Sequence, residues 1–100
     1  MTNKEFLKVV KELDQHCFEI LNDREKVYTT EDRLSNFKRV ACMKGETPEE
    51  ALWGMVAKQI IATQDAIQEH KKVPLDKWRE WLGDIINYMR LLYAIKVEEE

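Results

Sequence analysis

Residues 74–97 read PLDKWREWLGDIINYMRLLYAIKV, and their periodicity decides the fold. At 100° per residue, Trp78, Trp81, Leu82, Ile85, Ile86, Met89, Leu92, Tyr93 and Ile95 fall on one broad apolar arc. An arc that wide belongs to a helix covered by two or more neighbours. Pro74 suits the first turn, where its missing N–H has no intrahelical partner. Opposite the arc runs a narrow polar stripe of Asp76, Lys77, Glu80, Asp84 and Asn87, with Gly83 inside it. Glycine there costs about 1 kcal/mol of helix propensity relative to alanine. Two readings of the stripe stand: a solvated face, or a face where a ligand or another backbone comes close to Gly83.

Working back along the chain, Thr47-Pro48-Glu49-Glu50 is the clearest local signal. Thr47 caps, Pro48 takes the first helical position, and Glu50 stands where a capping-box glutamate belongs. That helix runs to about His70, with Trp53, Val56, Ala57, Ile60 and Ile67 as its apolar stripe and Lys58, Ala62 and Asp65 on a separate face. Gly45 ends the helix before it. Thr30 caps that earlier helix, and Glu31 and Asp32 in its first turn suit the positive end of the dipole. Leu34, Phe37, Lys38 and Ala41 share its inner face, while Asp32, Asn36, Arg39 and Met43 share another. The first helix starts at Thr2 or Asn3, with Glu5 completing a capping box. It carries Phe6, Val9, Val10, Leu13, Cys17, Ile20 and Leu21 at helical spacing to about Arg24. His16 lies off that stripe and reads as a surface residue. Four helices without strand-period alternation or internal repeats predict one all-α domain over residues 1–100. It is a compact bundle of four helices with antiparallel neighbours and the last helix central.

The apolar fraction of 44% supports a real core, although a chain this small buries only about two-thirds of its unfolded surface. A homo-oligomer joined through the last helix is therefore expected. A net charge of −3 and a pI near 5.5 argue against a duplex nucleic acid partner, which wants a basic surface. Cys17 and Cys42 have neither C-x-x-C nor metal-ligand spacing and read as buried free thiols. The opening residues MTNKEF carry no apolar run of a signal peptide, and no stretch approaches the roughly 20 apolar residues of a bilayer span. The expectation is a soluble cytoplasmic protein with no membrane partner.

Several chemistries drop out. There is no glycine-rich phosphate loop, no His/Cys metal spacing and no G-x-S-x-G signature, and the one serine, Ser35, has no locally spaced histidine. What remains is a set of polar residues pointing off the apolar stripes: Asp32, Arg33, Asn36, Lys58, Asp65, Glu80, Asp84 and Asn87. Converging, they form a mixed-charge cleft with cations for phosphate and carboxylates for Mg²⁺ or ribose hydroxyls. Kept apart, they are solvated faces with weak surface ion pairs.

The runs KVYTTEDRLSNFKRVA, TPEEALWGMVAKQ and WREWLGDIINYMRLLYAI resemble a family of small phage and prophage proteins, over roughly Lys26 to Ala94. The pattern is similar to the nucleotide modification associated domain proteins and, more distantly, to the MazG-like all-α nucleotide pyrophosphatases. It is carried by Lys26, Tyr28, Asp32, Arg33, Asn36, Phe37, Lys58, Asp84, Asn87 and Tyr88. The resemblance implies a nucleotide ligand in a bacterial host cell. Arg33 and Lys58 would hold phosphate, Asn36 and Asn87 would read sugar or base, and Tyr28 or Tyr88 would stack. The departures bear on turnover. The MazG-like enzymes hold Mg²⁺ through E-E-x-x-E and E-x-x-D clusters, whereas here Trp81 stands three before Asp84 and Lys58-Gln59 occupy the third helix. Glu80 and Asp84, one turn apart, offer at most one hydrated Mg²⁺, a poor two-metal site. The leading expectation is a phage-type protein that binds or sequesters a nucleotide or nucleotide-derived signal without turnover, with a possible anti-defence role. A Mg²⁺-dependent pyrophosphatase using Glu80 and Asp84, or a structural helical adaptor, are the alternatives.

Overall fold

A computed structural model describes residues 1–25 and 32–100 of the chain. It contains four helices: α1 (Asn3–Glu25), α2 (Ser35–Lys44), α3 (Pro48–Gln68) and α4 (Leu75–Glu99), with no strand among the described residues. The fold is an all-α bundle.

Local chemistry sets most of the boundaries. The Thr47 hydroxyl accepts the Glu50 N–H and the Glu50 carboxylate accepts the Thr47 N–H, at 3.2 and 3.0 Å, so the α3 capping box is complete. Thr2 and Glu5 reproduce that exchange at the start of α1. Gly45 closes α2 at φ 67°, where a side chain would be strained. Thr30 and Glu31 lie outside the described residues, and α2 begins later than their pattern suggests. Asp32 precedes the helix rather than sharing its first turn. Its Oδ1 accepts the Leu34 N–H at 2.9 Å, and its Oδ2 accepts from the Lys38 ammonium at 2.7 Å. Lying in the turn before the helix, whose N-cap is Leu34, Asp32 does not share a helix face with Asn36.

The core is centred on Leu34, Phe37, Leu52 and Ile95, with Met55, Tyr88, Leu91, Leu92 and Ala94 packed against it. It joins α2, α3 and the C-terminal half of α4. α4 lies between α3 and α1, and α2 packs on α3. α1 packs on α4 alone among the described helices, so it is not the antiparallel neighbour of α2 that the chain order suggests. The part of the α4 polar stripe around Gly83 and Asn87 receives α1. Gly83 and Asn87 are buried there, and the Asn87 amide donates to the Cys17 carbonyl at 3.1 Å. Arg90 ties the two helices further, donating to Asn87 Oδ1 at 3.2 Å, pairing with Asp14 at 3.6 Å and lying over the Phe18 ring.

Several side chains differ from their sequence reading. Cys17 is fully buried, but Cys42 is exposed. His16 is half-buried beside Gly83 rather than on the surface. Leu82 and Tyr93 of the α4 arc are exposed, and Trp78 is half-buried, stacked edge-on against Trp81 at 5.5 Å. A Cβ on Gly83 would meet Cys17 Sγ and His16 Cδ2 at 3.6 Å, ordinary contact distance. Gly83→Ala should therefore be accepted and stabilise the fold by up to about 1 kcal/mol through helix propensity. A drop in the urea midpoint would show that α1 sits closer to α4 than this geometry allows.

Candidate functional site

Among the described helices α1 packs on α4 alone, and between α1 and α2 lies a cavity of about 290 Å³. Ile20 and Leu21 of α1 wall one side; Phe37 and Val40 of α2, Met55 of α3 and Leu91 of α4 complete the apolar lining. Five polar side chains face it: Arg33, Asn36, Asp84, Asn87 and Tyr88. Each arrives by a separate local rule. Asp84 and Asn87 come from the α4 stripe, Tyr88 from its edge with the core, and Asn36 from the first turn of α2. Arg33 lies in the capping turn before α2, where its guanidinium donates to the Leu21 carbonyl at 2.9 Å and bridges the gap between α1 and α2.

Asp84 is the distinctive group. It is half-buried on the cavity wall, and its carboxylate has no hydrogen-bond or ion-pair partner among the described residues. Its oxygens stay open to solvent in the free protein and are available to a ligand. It is also the only carboxylate, and Arg33 the only cation, among the described residues lining the cavity. Asn87, by contrast, already serves structure: it donates to Cys17 and accepts from Arg90. The Cys17 thiol beneath it is pushed up in pKa by burial, with Arg90 opposing, so it stays protonated and packs as an apolar group.

The other residues singled out by sequence are elsewhere. Lys58 and Asp65 are exposed on α3 and do not line the cavity; the α3 residue that does is Met55. Asp32 is exposed at the start of α2, and its carboxyl is held below the usual carboxylate range by the Lys38 ammonium and then by the Leu34 N–H. Glu80 is exposed and pairs with Lys77 at 3.3 Å. Tyr28 lies outside the described residues. No group of three His, Cys, Asp or Glu side chains placed to hold a metal occurs among the described residues. Glu80 is not among the residues that line the cavity with Asp84. Sequence reading missed Ile20, Leu21, Val40, Met55 and Leu91 as cavity walls; apolar residues at helical spacing carry no mark of whether they meet core or void.

Protein-family models, curated proteins and solved structures give no match to this chain. What the cavity can hold is set by its own chemistry. A carboxylate accepts, a guanidinium donates, and an amide and a phenol do both, all around an apolar slot. No described helix is long and apolar enough to cross a membrane.

Proposed function

We propose that the protein binds a small nucleotide or nucleotide-derived signal in this cavity and holds it without turnover. The observation that carries the reading is the unpartnered carboxylate of Asp84, the one carboxylate among the described residues lining the cavity, beside Arg33, Asn36, Asn87 and Tyr88. Two adjacent N–H groups of a base, or a pair of ribose hydroxyls, would supply the donors it lacks. Met55, Phe37 and Leu91 offer an apolar bed for a planar ring, and Tyr88 or Asn36 a second polar contact. The volume of about 290 Å³ lies at the small end of ligand sites, which supports a single nucleoside unit. One lining cation, Arg33, suits one phosphate rather than three. The phage-like sequence pattern points the same way, toward phage nucleotide metabolism or sequestration of a host defence signal. A single lining carboxylate disfavours the Mg²⁺-dependent pyrophosphatase, whose chemistry rests on several.

Calorimetric titration of nucleosides, mononucleotides, cyclic nucleotides and triphosphates tests this. A mononucleotide or cyclic nucleotide is expected to bind better than a triphosphate, with no pyrophosphate released from triphosphates. Asp84→Asn should weaken the best ligand by about ten- to a hundredfold, the worth of hydrogen bonds to a charged group. Lys58→Ala should leave it unchanged. Equal affinity in wild type and Asp84→Asn would remove the site. Pyrophosphate release lost in Asp84→Asn would make the protein an enzyme.

A further inference from the structure

Asp84, Tyr88 and Leu91 stand at positions i, i+4 and i+7 of α4, so they share one face of that helix, and all three line the cavity. Leu91 belongs to the apolar bed with Phe37 and Met55, and Asp84 and Tyr88 form its polar margin. Neither the carboxylate of Asp84 nor the hydroxyl of Tyr88 has a partner among the described residues. Arg33, the one cation on the described lining, donates to the Leu21 carbonyl and does not pair with Asp84. A ring lying on the bed therefore meets, along one edge, two acceptor oxygens side by side and, one helical turn on, a hydroxyl able to donate.

Taking the cavity as the nucleotide site proposed above, we infer that the base it selects is guanine, read along its Watson–Crick edge by Asp84 and Tyr88. A carboxylate has acceptors only, so it is satisfied by two N–H groups that lie next to each other. Among the common bases guanine alone presents them, as the ring N1–H and the N2 amino group, with the O6 acceptor beside them for the Tyr88 hydroxyl. Adenine and cytosine set a single amino group beside a ring nitrogen acceptor, which would face a carboxylate oxygen lone pair to lone pair. Uracil and thymine offer one N–H between two carbonyls, with the same conflict on both sides. A site built for donors that a rival base lacks rejects that rival strongly, because its own polar group is then left unpaired. The ribose diol is the other pair of donors open to Asp84, but it is not planar and gains nothing from the bed of Phe37, Met55 and Leu91.

Calorimetric titration of nucleoside 5′-monophosphates tests the selection. Guanosine monophosphate should bind tightest, and inosine monophosphate, which lacks only the 2-amino group, about ten- to a hundredfold more weakly. Adenosine, cytidine and uridine monophosphates should bind no better than inosine monophosphate, and 2′-deoxyguanosine monophosphate should match the ribose form. Tyr88→Phe, which removes the donor to O6, should cost about three- to tenfold. Asp84→Asn exchanges one acceptor for a donor, so it should prefer xanthosine monophosphate, whose C2 carbonyl replaces the amino group, over guanosine monophosphate. A variant that is merely damaged gains no new ligand. Equal binding of guanosine and inosine monophosphates, or tighter binding of adenosine monophosphate, overturns guanine selection while leaving the cavity a nucleotide site. Lower affinity for the deoxy form moves Asp84 to the sugar and overturns it too. An Asp84→Asn variant that gains no preference for xanthosine monophosphate overturns the Asp84 contact, and unchanged affinity in Tyr88→Phe overturns the part given to Tyr88. No binding by any nucleotide overturns the nucleotide site itself, and guanine selection with it.

Discussion

Leu52→Ala is expected to lower the free energy of unfolding by about 3–4 kcal/mol, the usual cost of deleting a fully buried leucine where the core relaxes only in part. Leu52 is 0% exposed and is the largest fully buried side chain among the described residues. It sits in the cluster with Leu34, Phe37 and Ile95 that joins α2, α3 and α4. That is the one cluster of buried apolar side chains among the described residues. A domain of this size holds about 5–15 kcal/mol in total, so the variant loses a large part of its margin. Urea denaturation followed by tryptophan fluorescence measures it. A loss below about 1 kcal/mol would mean the core has another centre.

The next largest effect is expected at Asn87. Asn87→Ala removes the donor to the Cys17 carbonyl and the acceptor for Arg90, a cost of about 2 kcal/mol for a buried polar pair left incomplete. The loss should be local. Among the described helices α1 packs on α4 alone, and Asn87 is the only buried polar side chain among the described residues, at the point where the two helices meet. Hydrogen exchange should show amides of α1 losing protection while those of α3 keep theirs. Uniform loss across both helices would show that α1 and the α2–α3–α4 core unfold as one unit.

Helix number and most boundaries were legible because they depend on neighbours in sequence. Thr47, Pro48, Glu50 and Gly45 mark their ends through bonds within a turn, and the structure keeps them. The start of α2 was not: Asp32 lies in the turn before the helix, bound to the Leu34 N–H and the Lys38 ammonium. Periodicity says which face of a helix is apolar and nothing about what covers it. Phe6 and Val10 share a stripe with Cys17 yet are exposed. The same limit divided the candidate site. Arg33, Asn36, Asp84, Asn87 and Tyr88 meet at the cavity, while Lys58 is turned about 60° around α3 from Met55, the residue that reaches it.

The attachment of α1 also orders events in time. Its bonds to α4 span large distances along the chain, 66 residues from Cys17 to Gly83 and 70 from Cys17 to Asn87. The contacts of α2 with α3, and of α3 with α4, join consecutive helices. Closing the long loop costs chain entropy before its contacts give any return, so the α2–α3–α4 unit is expected to form first and α1 to dock last, which stopped-flow refolding measures. Substitutions at Cys17, Gly83 or Asn87 then act on the unfolding rate and leave the refolding rate nearly untouched, whereas Leu52→Ala slows refolding.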